Sequence, residues 1–338
     1  MGRPGSKWFV IRSEASLSKS GSIAGESVFC RLLTYDVLVQ PQNSDRKFIL
    51  DFRSNDRFLY RLADLRSQNE DLDPELLKRL DDCHLYLLGT RPRLCLVPDS
   101  LLISEADIRF EVEWRAEGVN HRDHVVLPRE LFLEAEQLFQ VSPDPHRELL
   151  SSDRDGKLIG STLLATMAHG LHGLDPRAKD LVVVYVGKGL CSSAQDRLRN
   201  HSTLQEILED LNSKAPDREL FAIVYRFEYK RHLVINVPPE GTPQRAKRLR
   251  TEELRYSPTL DDQISLVEAA CISYFHPSRY NSQYLNFPQK THKILREPCK
   301  AGVATISVNL DNASVGGLRI GSETVPASEF HSIRIELP

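Results

Sequence analysis

Leu181-Val182-Val183-Val184-Tyr185 is apolar at every position. A strand of this kind has no face to give to water, so it belongs in a sheet covered on both sides. Further along, Ile264-Ser265-Leu266-Val267-Glu268-Ala269-Ala270-Cys271-Ile272 reads as a helix apolar on most of its surface, and it needs the same cover. A buried strand and a buried helix in one chain point to an α/β (α+β) architecture.

The 338 residues allow more than one unit of ordinary size. Val141-Ser142-Pro143-Asp144-Pro145 breaks the pattern and marks a boundary. The expected organisation is an N-terminal mixed α/β domain over 1–145, the core over 146–300, and a small β element over 301–338. In the first stretch, strands are expected at 8–11, 28–33 and 47–52, and helices over 56–66 and from Asp73-Pro74-Glu75 onward. Alternation over 108–114 predicts a strand with one wet face, and Leu127 opens a helix running to 139. Residues 158–171 read as a buried helix, and 221–229 and 232–237 as two strands joined by a tight turn. Thr259-Leu260-Asp261-Asp262 caps the helix that carries Glu268, and His276-Pro277 stops it. Three short strands, near 305–308, 317–320 and 332–335, close the chain.

Composition removes several classes of function. Apolar residues at 41% and charged residues at 27% are ordinary for a soluble globular protein. No apolar run approaches the roughly 18 residues that cross a bilayer, and no secretion signal opens the chain, so a cytoplasmic location is expected. The six cysteines form no C-x-x-C pair, which argues against a zinc site or a disulfide framework. A net charge of −3 argues against coating nucleic acid by bulk electrostatics. Two local basic runs remain fit for phosphate contact: Arg245, Lys247, Arg248 and Arg250, then Lys290 and Lys293. A solvated helix face is the plainer reading of the first run, since Glu252 and Glu253 follow it.

Three elements carry chemistry. Val184-Tyr185-Val186-Gly187-Lys188-Gly189 places a tyrosine at a strand end, where its hydroxyl can enter a cleft and the glycines let a ligand approach. It lacks the remaining residues of a phosphate loop. Arg197 and His201 stand four apart on one helix face, either as a phosphate clamp or as an ordinary polar face. Glu268 interrupts an apolar helix, a costly position unless the carboxylate is paired or holds a metal.

Together these segments resemble GIY-YIG nucleases over about residues 165–290, which implies a core of a small sheet flanked by helices. The family carries tyrosine at its second strand end, then Arg and often His on a helix, Glu on a later helix, and Asn past that helix. The resemblance maps these roles onto Tyr185, Arg197, His201, Glu268 and Asn281, with Lys188 matching a basic residue found after the Tyr-x-Gly. Two departures stand out. The interval from Tyr185 to Arg197 is longer than usual, which an insertion at Leu190-Cys191-Ser192 would absorb. The first Gly-Ile-Tyr motif is absent where it is expected, at His172-Gly173-Leu174-Asp175-Pro176. His169, His172 or Tyr225 are the candidates to replace its tyrosine.

The resemblance implies a metal-dependent endonuclease that hydrolyses phosphodiester bonds, DNA ahead of RNA, in restriction, phage defence or mobile-element biology. Glu268 would hold one Mg²⁺ or Mn²⁺, Tyr185 and Lys188 would position water, and Arg197 would stabilise charge on phosphate. The N-terminal domain would set substrate choice, bind a protein partner or form a homo-oligomer. The alternatives are an inactive nucleic-acid-binding module of the same fold, and an unrelated α/β protein in which Glu268 is a structural ion pair.

Overall fold

The computed structural model describes residues 47–62, 74–129, 138–189, 202–234, 257–313 and 317–338. The strands expected at 8–11 and 28–33 lie outside these residues. In chain order the strands are β1 (Lys47–Arg61), β2 (Leu85–Pro92), β3 (Cys95–Leu96), β4 (Leu102–Ile103), β5 (Asp107–Ala116), β6 (Val119–Pro128) and β7 (Leu138–Val141). They continue as β8 (Glu148–Ser152), β9 (Leu158–Leu163), β10 (Leu181–Lys188), β11 (Arg218–Val234), β12 (Val303–Asp311), β13 (Ile320–Gly321) and β14 (Phe330–Glu336). The helices are α1 (Pro74–Asp81), α2 (Leu164–Met167), α3 (Pro176–Lys179), α4 (Ser202–Lys214), α5 (Leu260–Phe275) and α6 (Arg296–Lys300).

A seven-stranded sheet ordered β13-β10-β2-β11-β1-β12-β14 dominates this mixed α/β fold. It draws strands from 1–145, 146–300 and 301–338 alike, so it crosses both expected boundaries. β2 runs antiparallel to β10 on one side and to β11 on the other. Thr90 near the end of β2 faces Val182 near the start of β10. The two strands therefore form a hairpin in which residues 93–180 stand in place of a turn.

That inserted segment builds its own small sheets, β3-β5-β4 with β6, and β7-β8-β9. Phe110, Val112, Trp114, Val125 and Leu149 fill their core. The alternation expected over 108–114 is present in β5, whose buried residues are Ile108, Phe110, Val112 and Trp114. A buried ionic link ties the segment to the large sheet. Glu219 sits opposite Arg91 in the β2–β11 register, and its Oε1 accepts from Arg147 Nη1 at 3.0 Å. The fully buried Arg91 lies over the Phe221 ring at 4.3 Å.

Two apolar layers cover the large sheet. On one face, Leu85, Leu87, Leu181, Val183, Val186, Phe221 and Ile223 pack against Leu266, Ala269, Ala270 and Phe275 of α5. On the other, Tyr86, Leu88, Ala222 and Val224 pack against Leu204 and Ile207 of α4. α5 begins as the sequence requires: Thr259 Oγ1 accepts from the Asp262 N–H at 3.2 Å, and Asp262 Oδ2 accepts from the Thr259 N–H at 3.0 Å. It ends at His276, which turns left-handed (φ 50°) before Pro277. No helix among the described residues is long and apolar enough to cross a membrane.

Several local expectations are corrected. Residues 56–61 continue strand β1 rather than starting a helix, because β11 pairs with them residue by residue, from Asp56 opposite Arg226 to Arg61 opposite Phe221. Residues 158–163 form β9 rather than helix, as the third strand beside β7 and β8. Leu127 and Pro128 end β6, and residues 130–137 of the expected helix lie outside the described set. The two strands expected at 221–237 are one strand, β11, since β1 pairs along it without the expected turn.

Candidate functional site

The C-terminal end of β10 organises the candidate residues. A bulge makes Val184 and Tyr185 together oppose Leu88, since pairing shifts between Val183 and Tyr185. Simple alternation from Leu181 and Val183 would aim Tyr185 at α5. The extra residue instead returns Val186 to the α5 layer and sends Tyr185 to the α4 layer. Lys188, two residues beyond Val186, then reaches α5.

On the α5 side, Lys188 Nζ donates to Ser265 Oγ at 2.5 Å. It lies 3.7 Å from Glu268 Oε2 and 3.8 Å from Asp261 Oδ1. Positions 261, 265 and 268 follow helical spacing, so one face of α5 presents them together. The Glu268 side chain is 13% exposed, low enough to strengthen its interactions and high enough to be reached by a ligand. Its partner Lys188 is an alternative to a metal, and the distances are long for a hydrogen-bonded salt bridge.

On the α4 side, Tyr185 meets a residue the sequence left unassigned. Tyr86 lies on β2, opposite Gly187 in the register. Its ring centroid is 6.1 Å from that of Tyr185, at 35°. A Cβ on Gly187 would stand 2.5 Å from both Cζ and Oη of Tyr86 and 2.8 Å from Cε1 of Tyr185. The glycine is what allows two tyrosines to share this place.

Asn281 joins the two sides. β13 pairs with β10 only at Leu181 and Val182, so among the described residues no strand lies beside Val186 on that edge. Asn281 substitutes for one: its Oδ1 accepts from the Val186 N–H at 3.0 Å and its Nδ2 donates to the Val186 carbonyl at 2.9 Å. The buried amide is thereby committed to the frame of the site. Asn281→Ala should cost about 2–4 kcal/mol in urea unfolding, because it strands a buried donor and acceptor. A loss within error of zero would show that water replaces the amide.

The candidate residues thus surround the last part of β10 instead of lining one wall. Arg197 and His201 lie outside the described residues, as do Arg245, Lys247, Arg248 and Arg250. Lys290 and Lys293 are both exposed. None of the three suggested replacements for a first tyrosine offers a free group here, although Tyr225 stands across Leu85 of β2 from Lys188. Tyr225 is wholly buried, donates to Asn312 Oδ1 at 2.8 Å, and burial holds its phenol well above the ordinary value. His169 sits beside Arg91, and burial together with the charges of Arg91 and Lys179 pushes it down to about 4. Arg91 is six residues along β2 from Leu85, the register partner of Lys188, which is roughly 20 Å of strand. His172 is exposed and bridges Val126 through its backbone within the inserted segment.

Among the described residues no group of three or more His, Cys, Asp or Glu side chains converges on a metal position. A single carboxylate fits a hard cation that keeps most of its water and takes its other ligands from phosphate. Among known proteins, no family model, no curated sequence and no solved structure matches this chain.

Proposed function

We propose that the chain is a divalent-metal-dependent endonuclease of the GIY-YIG kind, acting on DNA. The observation that carries this reading is the Lys188–Ser265–Glu268 group, which the end of the Tyr-Val-Gly-Lys strand forms with the later helix. The resemblance lacked a first tyrosine, and Tyr86 supplies one from the strand hydrogen-bonded beside the Tyr-Val-Gly. Leu85-Tyr86-Leu87 then stands where Gly-Ile-Tyr would, moved upstream by the inserted segment.

In this reading Glu268 holds Mg²⁺ or Mn²⁺, with Lys188 and Ser265 beside it. The bound ion supplies Lewis-acid stabilisation of charge on the phosphate. Tyr86 and Tyr185 pack on the opposite layer and hold the end of β10 that presents Lys188, and the proton of the attacking water passes to solvent. Lys188 neutralises a phosphate oxygen, and Arg197, a candidate from sequence alone, offers a planar fork to two of them. Asn281 keeps the end of β10 in place. Lys290, Lys293 and the run Arg245–Arg250 are suited to phosphates away from the reacting one.

Cleavage of plasmid and oligonucleotide DNA with Mg²⁺ or Mn²⁺ tests the reading. Lys188→Met should slow cleavage by about 100-fold or more while the fold holds, since one preorganised charge at the reacting phosphate contributes on that scale. A parent-like rate in Lys188→Met would remove the Lys188–Glu268 pair from the chemistry.

The Lys188–Glu268 distance favours one second reading. If the carboxylate serves only to neutralise Lys188, the domain is a non-catalytic nucleic-acid-binding module.

A further inference from the structure

The start of β2, the middle of β11 and the first two turns of α5 line an open cleft of about 240 Å³ beside the Lys188–Glu268 pair. We propose that this cleft takes one unpaired nucleobase of the strand being cut, an inference that rests on the phosphodiester chemistry proposed above.

Its walls match the two surfaces of a base. Phe227, Val267 and Leu260 supply the apolar part, and stacking on such surfaces tolerates any base because every base has a π-face. Leu260 is 57% exposed in the first turn of α5, at an energetic cost that a stacked ligand would relieve. His84, Gln263 and Arg226 supply a polar rim. Gln263 Nε2 donates to the Pro258 carbonyl at 2.9 Å, which fixes the amide and keeps Oε1 as an acceptor. Arg226 reaches Asp82 and Asp56 only at 3.4 and 3.5 Å, so its donors are weakly engaged.

His84 connects cleft and site. Its Nδ1 lies 3.2 Å from the Gly189 carbonyl. That oxygen can only accept, so Nδ1 is the donor in this contact. Gly189 directly follows Lys188, and a base held against His84 therefore keeps its own phosphate on the Lys188 side. The volume suits one base and excludes a base pair, which is the geometry of a base taken out of its stack.

The test is binding without metal ion, by fluorescence anisotropy. A labelled single-stranded oligodeoxynucleotide is compared with the same strand made abasic. The parent should prefer the intact strand by roughly 10-fold, the scale of stacking one base. Leu260→Ala, at an exposed position that folding does not need, should weaken that preference. Gln263→Trp, which fills the cleft, should abolish it, with thermal melts confirming both folds. Equal binding of intact and abasic strands by the parent overturns the cleft and leaves the nuclease to its own cleavage assay. A preference that survives both variants also overturns it, since the base then stacks elsewhere. A preference that both variants lose, in a parent that never cuts DNA, upholds the cleft as a base site and removes the nuclease.

Discussion

Glu268→Gln should abolish metal-dependent DNA cleavage, with a loss of at least about 100-fold, the scale set by removing one group that stabilises transition-state charge. The amide keeps the shape of the carboxylate and removes the charge that would hold the cation. The fold should survive, because Lys188 keeps its bond to Ser265 Oγ and its neighbour Asp261. The decisive comparison is rate against stability. A variant that melts like the parent and cannot cut places the carboxylate in the chemistry. One that cuts like the parent returns Glu268 to the role of counter-ion for Lys188, and the non-catalytic reading gains.

Gly187→Ala should fail for a different reason. The new methyl would fall 2.5 Å from the Tyr86 ring, inside any contact that real side chains show. Tyr86 is 1% exposed and packed among Leu88, Ala222 and Val224, so its ring has nowhere to retreat. Overpacking of this kind costs about 1–3 kcal/mol, and the variant should lose that stability in urea and lose cleavage as well. A double-mutant cycle identifies the cause. Tyr86→Ala opens the space, so adding Gly187→Ala to it should cost far less stability than Gly187→Ala alone. Additive losses would mean that the clash lies with the backbone and not with the tyrosine.

Sequence reasoning reached what is local. The capped helix ending at His276-Pro277, the alternating strand β5 and the burial of β10 all follow from short patterns, and the structure has each. It missed what depends on partners. Residues 56–61 have enough polar character to read as helix, yet the distant strand β11 claims them. The bulge at Val184 leaves no mark in an all-apolar run, and it alone decides which layer Tyr185 joins. Tyr86 was hidden by distance: a search just upstream of Tyr185 falls within the inserted segment. The alternation in Leu85-Tyr86-Leu87 was the signal available, and only the strand pairing gives it meaning. Asn281 was legible by type and position, while its hold on the Val186 backbone was not.

Standing residues 93–180 in place of a turn has a consequence in time. An ordinary hairpin closes early because its strands are neighbours along the chain. Here β2 emerges with neither of its sheet partners made, and β10 arrives only after a whole segment with its own core. β1 waits longer still, for β11 and then for β12. Contacts of such long sequence separation form slowly, since loop closure must come before any pairing rewards it. The small sheets of the insertion, whose contacts are local, can assemble first and bring their two ends together. On that view the tyrosine pair exists only after the inserted segment has folded, and that segment acts as the template that lets it form.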